Sequence, residues 1–267
     1  LHDSDVLINL SHIKGHQTCG YGGAFKNIAL GGYCAQDRWN KIHDIECSVK
    51  WYDPEKLTPD HVEHLVKSCP CGALKYDEEK GGLINLWHEC MNGNCLECLK
   101  ADADVGALSL SQKNFSAFQE LMAIAAGKVL ETFEKDKVFN LGFLLDITPQ
   151  CDCPGMIQPI VVPDLGIMGS RDTVAVEEAA LDLIKETGLI ESMIPPYIKK
   201  VNLDPEADLH PFQRIWGAWK DPYLVCEYGE RLGLGSRRYE LVEVLSPEET
   251  LKMDPSARAY EIQPTFF

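Results

Sequence analysis

The residues with the most reactive chemistry in this sequence are its 11 cysteines. An odd number of cysteines, several of them in tight clusters, argues against a disulfide framework. Thiol clusters in an intracellular protein more often bind metal. Cys90, Cys95 and Cys98 follow the spacing C-x4-C-x2-C, and Cys69 lies upstream with Pro70 directly after it. Four thiolates suit a tetrahedral site that holds either an iron–sulfur cluster or zinc.

The spacing of these cysteines is typical of a two-cluster ferredoxin that has lost one cluster. Such ferredoxins carry two runs of C-x2-C-x2-C-x3-C-P, and the fourth cysteine of each run ligates the cluster of the other run. Read backward from Cys69, the template requires cysteines where this chain has Pro59, Val62 and Leu65. The second run has Asp102 in place of its fourth cysteine. All four missing ligands belong to one cluster, so the sequence predicts a single remaining [4Fe–4S] cluster held by Cys69, Cys90, Cys95 and Cys98.

Two alternatives stay open at this site. Zinc satisfies the same geometry, although a Gly-Ala-Leu tripeptide after each run, at 72–74 and 106–108, favours the ferredoxin interpretation. Cys71 could replace Cys69 as the fourth ligand, but the proline after Cys69 favours Cys69.

A second group of chemically active residues lies in a glycine-rich loop after the first predicted strand. Its glycines let the backbone approach a ligand closely, and its free N–H groups favour anions. The loop is therefore predicted to bind an anionic substrate or cofactor. The alternative is a structural glycine turn with scattered surface cations. The residues concerned are His12, Lys14, His16, Gly20, Gly22, Gly23, Lys26 and, further along, His43.

The third group is the run T-P-Q-C-D-C-P at 148–154, called the CDC turn below. It follows the most apolar predicted strand, and ligands of α/β proteins gather at the carboxyl ends of strands. We expect Cys151 and Cys153 to act in metal or redox chemistry, the alternative being two buried, inert thiols. We also expect one cleft to unite this turn with His16 as a proton donor or acceptor. Lys26 would act there as a point charge or covalent tether.

Hydrophobic patterning predicts the strands of an α/β fold. Apolar runs indicate strands over 5–10, 138–147 and 164–168, and alternation indicates a late, edge strand over 239–245. The run 138–147 is too apolar to have a wet face. It is therefore predicted to be a central strand, buried on both faces, in a mixed, largely parallel sheet with helices on both faces.

Two of the predicted helices follow residues 53–110, and a third, shorter helix lies within them. Apolar residues at helical spacing predict a core-facing helix over 112–136, and Asp172 is predicted to cap a helix that stops at Gly188. Thr58-Pro59 begins a short helix on which His61 and His64 are expected to be solvated.

The domain organisation follows from a difference in sequence pattern along the chain. Residues 53–110 lack a long periodic segment and are predicted to be a ferredoxin-like insert, called the insert below. Residues 1–52 and 111–267 form the α/β host, whose amino-terminal part is expected to be missing.

Charge and hydropathy exclude two classes of partner. The net charge is −16, from 25 Lys+Arg against 41 Asp+Glu, and a chain this acidic repels a polyphosphate backbone, so nucleic acid is excluded. No apolar run is long enough to span a membrane. Signal-peptide organisation is absent, so a cytoplasmic location is expected.

With these residues laid out, the sequence resembles the uncharacterised domain-of-unknown-function 362 family of iron–sulfur proteins from anaerobic microbes. The matching stretches are 8–31, 147–155, 160–183 and 232–244. The resemblance implies an iron–sulfur redox role, without a known reaction. Typical members carry two ferredoxin runs, and this chain departs from them by losing one cluster. Relatives also begin well before this stretch.

The order H-x3-G-x2-G-x2-K, formed by His16, Gly20, Gly23 and Lys26, is similar to a motif of the nickel-pincer lactate racemase family. This resemblance implies that His16 is an acid/base, Lys26 a cofactor tether and His43 a nickel ligand. The spacing to His43 is one residue off, and the insert and the CDC turn have no counterpart there. We interpret it as shared ancestry of a site rather than a shared reaction.

Several functions are consistent with these features. The leading hypothesis is an iron–sulfur enzyme, leaning to an oxidoreductase. It would take electrons from a donor such as a ferredoxin and pass them to a small-molecule substrate or a second metal or cofactor. The alternatives are an electron-transfer or assembly subunit without its own catalysis, a metal-dependent racemase-like enzyme, and a zinc-stabilised protein.

Overall fold

Strands and helices alternate along the part of the chain that the structure describes. The computed structural model covers residues 3–16, 19–38, 42, 51–85, 97–108, 112–152, 155, 157–194 and 208–244. Its strands are β1 (Leu7–His12), β2 (Lys14–His16), β3 (Gly20–Gly22), β4 (Leu74–Asp77), β5 (Gly82–Asn85), β6 (Val138–Leu144) and β7 (Gly166–Ser170). Its helices are α1 (Ala24–Gly31), α2 (Ala35–Asp37), α3 (Pro59–Ser68), α4 (Glu97–Ala101), α5 (Gln112–Leu130), α6 (Thr173–Thr187), α7 (Pro211–Trp216) and α8 (Leu224–Arg231).

A mixed sheet in the order β1-β6-β7 confirms the predicted α/β class and the central position of β6. β1 and β6 run parallel, whereas β7 runs antiparallel to β6. A parallel return from β6 would need a crossover, usually a helix. The described residues between β6 and β7 contain no helix, which accounts for the antiparallel direction of β7.

The first face of this sheet is covered by helices α1 and α6. The buried side chain of Asn9 donates to Asn140 Oδ1 at 2.9 Å and to the carbonyl of Ala24 at 3.2 Å. Asn140 in turn donates to Thr173 Oγ1 at 3.1 Å. This short chain of hydrogen bonds fixes the start of both helices over the two parallel strands.

The opposite face of the sheet is partly exposed. Ile8 is 61% exposed, Leu10 56% and Phe139 38%. The prediction that residues 138–147 are buried on both faces is therefore wrong, since side chains of β6 alternate between buried and partly exposed. An apolar run does not reveal which of its faces is covered, because other segments supply the cover. The strand also ends early, at Leu144, since Asp146 has a φ of 50°.

Helix α5 forms the centre of the host core, as its apolar spacing predicts. Phe118 is 0% exposed and Met122 1%, and the helix packs against α1 and α8. It ends at Leu130 rather than at 136, where Thr132 Oγ1 donates back to the carbonyl of Val129 at 2.7 Å.

Helix α6 begins and ends as the sequence predicts. The Asp172 carboxylate accepts the N–H of Ala175 at 2.9 Å, and Gly188 ends the helix with a φ of 77°.

The described part of the insert has a small core of its own. It consists of the α3 and α4 helices and the antiparallel β4–β5 hairpin, and neither strand joins the host sheet. Thr58 Oγ1 caps α3 by accepting the N–H of His61 at 3.2 Å, with Pro59 in the first turn, as predicted. The buried residues of this core are Trp51, Leu65, Leu74, Leu83 and Leu108.

The carboxyl-terminal residues form a second unit, Arg238–Phe267, separate from the unit Leu1–Arg237. The predicted strand over 239–245 is wrong for residues 239–244, which adopt neither strand nor helix, and residue 245 lies outside the described residues. Alternating apolar residues form a strand only where a neighbouring strand supplies backbone partners, and residues 239–244 take part in no ladder. Among the described residues, no helix has the length and apolar character needed to cross a membrane.

Candidate functional site

The sulfur of Cys69 lies among backbone N–H groups just after α3. The N–H of Leu74 donates to Cys69 Sγ at 3.4 Å. Partial burial alone would raise the pKa of this thiol, but hydrogen bonds from the backbone of Leu74, from Cys71 and from Ala73 outweigh it and lower the pKa. The thiolate that these donors stabilise is the form of cysteine that ligates metal.

Cys98, at the start of α4, packs against the same small core as Cys69. The other two predicted ligands, Cys90 and Cys95, lie outside the described residues. Within the described ranges, no three metal-binding side chains come together. The structure thus describes two of the four predicted ligands and assigns both to one core.

A buried carboxylate and a histidine occupy the fourth-ligand position of the cluster that the sequence predicts to be lost. Asp102 is 2% exposed. Its Oδ1 lies 2.8 Å from His61 Nε2, and its Oδ2 accepts the N–H of Leu108 at 2.6 Å. Both carboxylate oxygens of Asp102 are therefore satisfied by the protein.

Two of the other three template positions of that cluster are filled by packing, whereas the third, Pro59, is exposed. Leu65 is buried in the insert core and Val62 packs against it. The prediction that His61 is solvated is wrong, since its side chain is only 12% exposed. Its neighbour His64 is exposed, as predicted. The half of the insert that would hold a second cluster is thus packed with apolar side chains and one ion pair.

A cavity of about 580 Å³ opens elsewhere on the insert, beside α3 and the β4–β5 hairpin. Its volume falls within the range of small-molecule pockets. Among the described residues, none that the sequence predicts to act in chemistry lines it. Its largest apolar lining residues are Tyr52, Leu57, Val62, Val66, Tyr76 and Leu83.

In the host, β2 and β3 form a hairpin, called the glycine hairpin below. Lys14 lies opposite Gly22 and His16 opposite Gly20, so the side chains of Lys14 and His16 share one face. A Cβ at Gly22 would lie 3.6 Å from Lys14 Cε and 3.2 Å from Lys26 Cδ. The absence of a side chain at Gly22 thus lets two lysines come together over the hairpin.

His16 is buried, at 7% exposure. Its Nδ1 accepts the N–H of Cys19 at 3.0 Å, so the neutral ring carries its proton on Nε2. His43, the more distant predicted catalytic residue, lies outside the described residues.

The amino terminus of α1, directly after the glycine hairpin, is occupied by a carboxylate of the chain itself. Glu177 of α6 is 1% exposed and accepts the N–H of Ala24 and the hydroxyl of Tyr21. Gly23 permits this approach, since a Cβ there would clash with the Glu177 carboxylate. Burial raises the pKa of Glu177 to about 7, although these hydrogen bonds and the charge of Lys14 oppose the shift.

The CDC turn packs directly against the glycine hairpin. The N–H of Gly15 donates to the carbonyl of Thr148 at 2.9 Å, and a Cβ at Gly15 would clash with the carbonyl of Pro149. Because Gly15 alternates with Lys14 and His16 along β2, the start of the turn covers the opposite face of the hairpin.

Asp152, the middle residue of the C-D-C sequence, links the turn to two basic side chains. Its Oδ2 lies 2.9 Å from His12 Nδ1 and 3.2 Å from Lys14 Nζ. The other ring nitrogen of His12 lies 2.8 Å from the carbonyl of Leu145. Burial tends to raise the pKa of Asp152, but the hydrogen bond from His12 and the charge of Lys14 outweigh burial and lower it.

The contact between the turn and the hairpin is therefore made by different residues than expected. Cys151 is buried, at 2% exposure, and Cys153 lies outside the described residues. Gln158 holds the turn by accepting the N–H of Gln150 at 3.0 Å and donating to the carbonyl of Cys151 at 3.2 Å. The side-chain link from the turn to the hairpin passes through Asp152.

Three carboxylates that shape these sites were not singled out as functional from the sequence. Asp152 lies inside the CDC turn, and Asp102 marks a position of the ferredoxin template. Glu177 has a weaker signal, because it falls on the buried stripe of α6 between Val174 and Leu181. An acid on an apolar helix stripe indicates a buried partner but does not identify it.

Comparison with known proteins gives one match. The family described as a domain of unknown function (DUF362) matches residues 1–182, which is more than half of the 267 residues. No curated protein and no solved structure matches the chain.

Proposed function

This chain belongs to the domain of unknown function 362 family, and we propose that it is an iron–sulfur redox enzyme. One [4Fe–4S] cluster would be held by the insert, and a small anionic substrate would bind at the glycine hairpin. The observation that carries the proposal is the Cys69 sulfur, which accepts a backbone N–H while packing against the same core as Cys98. The proposed ligands are Cys69, Cys90, Cys95 and Cys98.

The described residues fit such a cluster by the chemistry of their donors. Backbone N–H groups directed at a cysteine sulfur stabilise the thiolate and are one of the features that set the reduction potential of a cluster. When bound, the cluster would accept and release one electron at a time. The electrons would come from a partner such as a ferredoxin in the cytoplasm.

The pair of Asp102 and His61 in the other half of the insert supports one cluster rather than two. The Asp102 carboxylate already accepts hydrogen bonds on both oxygens, from His61 and from Leu108. A second cluster would have to displace this buried carboxylate and leave its hydrogen-bond donors unsatisfied, which is expensive.

The cationic face of the glycine hairpin supports the substrate side of the proposal. The Lys26 side chain lies beside that of Lys14 over Gly22, and an ammonium group favours a carboxylate or phosphate. The Lys14 ammonium is held by Asp152 at 3.2 Å. The His16 ring lies on the same face as Lys14. We assign to Lys26 the role of binding and orienting the anion, and to His16 that of a proton donor. A second metal or cofactor at this face is the other occupant that the sequence predicts.

A second candidate function is an electron-transfer or assembly subunit without its own catalysis. It is favoured by Glu177, which occupies the N–H groups at the start of α1 that would otherwise bind an anion. It is also favoured by the position of Pro149 on the hairpin face opposite His16.

The test is anaerobic purification of the wild type and of single cysteine variants. We expect a broad visible absorption that bleaches on reduction, lost in Cys69→Ser, Cys95→Ser and Cys98→Ser. Cys34→Ser is the matched control, since Cys34 is exposed and donates to Asp37 outside the insert. Zinc without iron would overturn the proposal, and nickel in the same metal analysis would instead support the racemase-like alternative.

A further inference from the structure

Two cysteines of the insert lie in contact within a single turn. Cys69 Sγ and Cys71 Sγ are 3.7 Å apart. The N–H of Gly72 closes the turn by donating to the carbonyl of Cys69 at 3.3 Å, and Pro70 stands at the second position, where such turns favour proline. Pro70 has a fixed φ, and Gly72 adopts a φ of 67°. The local sequence itself thus holds the two thiols together.

A disulfide between these thiols requires little movement. An S–S bond is about 2.05 Å long, so the sulfurs must approach by about 1.6 Å, which side-chain rotation can supply. Cys71 is exposed, whereas Cys69 is half-buried behind it. An external disulfide would therefore meet Cys71 first and find Cys69 next to the sulfur it had modified.

We propose that Cys69 and Cys71 form a redox-active dithiol that exchanges with low-molecular-weight disulfides. The Cys71 thiolate attacks one sulfur of the external disulfide, forming a mixed disulfide and releasing one thiolate, which takes up a proton. The Cys69 thiolate then attacks Cys71 Sγ, which closes the Cys69–Cys71 bond and releases the second external thiol. Two electrons pass from the cysteine pair to the external disulfide, which is reduced to two thiols.

The exchange has a consequence for the cluster. Cys69 cannot ligate iron while its sulfur is bonded to Cys71, so the disulfide and the assembled cluster exclude each other. The insert would then have two states, a reduced state that accepts iron and an oxidised state that does not. This consequence rests on the proposed function, whereas the exchange itself does not.

The experiment uses the full chain with its metal removed by a chelator under anaerobic conditions. The protein is equilibrated in buffers of increasing glutathione disulfide, alkylated and digested with trypsin. Cleavage after Lys67 and Lys75 releases peptide 68–75, which contains Cys69 and Cys71 and no other cysteine. Closure of the pair therefore appears as one unalkylated peptide that is two hydrogens lighter than the dithiol form.

We expect peptide 68–75 to close along a single two-electron titration curve and to reopen with reductant. Cys34→Ser should close in the same way, whereas Cys71→Ser should give no closed peptide. The proposal is overturned if the wild-type peptide stays doubly alkylated in the most oxidising buffer. It is also overturned if both cysteines take up glutathione without closing.

Iron uptake separates this inference from the proposed function. The oxidised wild type should fail to take up iron and sulfide until it is reduced, whereas Cys71→Ser should take them up after the same oxidising treatment. Closure of the peptide in a protein that never binds iron would leave the exchange standing and refute the proposed function. Iron uptake without closure would refute the exchange alone.

Discussion

Two buried carboxylates, Asp102 in the insert and Glu177 in the host, stand where the sequence predicts ligand-binding positions. Asp102 is 2% exposed and Glu177 1%, and each accepts one backbone N–H. Their remaining partners differ, since Asp102 meets the His61 ring, which can carry positive charge, whereas Glu177 meets the neutral hydroxyl of Tyr21.

The partners of Glu177 affect how its carboxyl group titrates. Glu177 is compensated chiefly by neutral donors, and burial raises its pKa to about 7. Near neutral pH, Glu177 therefore exists in both protonation states beside the glycine hairpin.

The largest expected effect in this comparison is that of Asp102→Ala. The substitution leaves His61 and the N–H of Leu108 without their buried acceptor, which should cost about 3 kcal/mol. Hydrogen exchange in α3 and in the β4–β5 hairpin should accelerate by about a hundredfold.

Asp104→Ala is the matched control, because Asp104 is exposed two residues away and should change stability by less than about 0.5 kcal/mol. Equal exchange rates in the two variants would show that Asp102 does not hold the insert together.

The second effect is the pH dependence that Glu177 confers. Its pKa is about 7 in the fold against an ordinary value of 4.5, so the folded chain binds more protons than the unfolded chain between these pH values. Its contribution to stability is therefore present below about pH 4.5 and is lost as the pH rises through about 7, by at most about 3 kcal/mol. In Glu177→Gln this loss should be absent.

Because His210 also has a shifted pKa, the quantity to compare is the difference in the free energy of unfolding between the wild type and Glu177→Gln. Burial lowers the pKa of His210 to about 4, so its contribution to stability rises as the pH rises from about 4 to about 6.5. This opposes the effect of Glu177 in the wild type. Urea unfolding at several pH values should give a free energy of unfolding for Glu177→Gln that exceeds the wild-type value by an amount that increases toward pH 8. A difference that does not change with pH would contradict the raised pKa of Glu177.

The smallest expected effect concerns anion binding at the glycine hairpin. Lys26→Ala should weaken the binding of inorganic phosphate or oxalate by about five- to tenfold, since one charge-assisted contact is lost. Lys80→Ala, an exposed lysine of the insert, should have no effect in the same calorimetric titration. Equal affinities in the two variants would favour the electron-transfer subunit over the enzyme.

The sequence predicts the features that depend on neighbours along the chain. Asp172 caps α6 through a residue three positions away, and the apolar stripe of α5 is visible in a single helix. The partners of the buried carboxylates lie far away in sequence, since Glu177 and Ala24 are separated by 153 residues. Spacing alone does not reveal such pairs.

The antiparallel direction of β7 was not predicted, and the strand predicted at 239–245 does not form over residues 239–244, for a related reason. Each depends on which segment lies alongside, which a local pattern does not specify. The cysteines predicted as ligands are a different case, because that prediction depends on a ferredoxin template, which relates the two runs over a long distance in sequence. The same template identified the Asp102 position, although not its pairing with His61.

The central claim is that the insert holds one [4Fe–4S] cluster, and the stoichiometry of iron and acid-labile sulfide in anaerobically purified protein tests it most directly. The account predicts about four irons and about four sulfides per chain, as one such cluster contains. About eight of each would mean that the ion pair of Asp102 and His61 does not replace the second cluster. Zinc at about one per chain, with neither iron nor sulfide, would contradict the claim altogether.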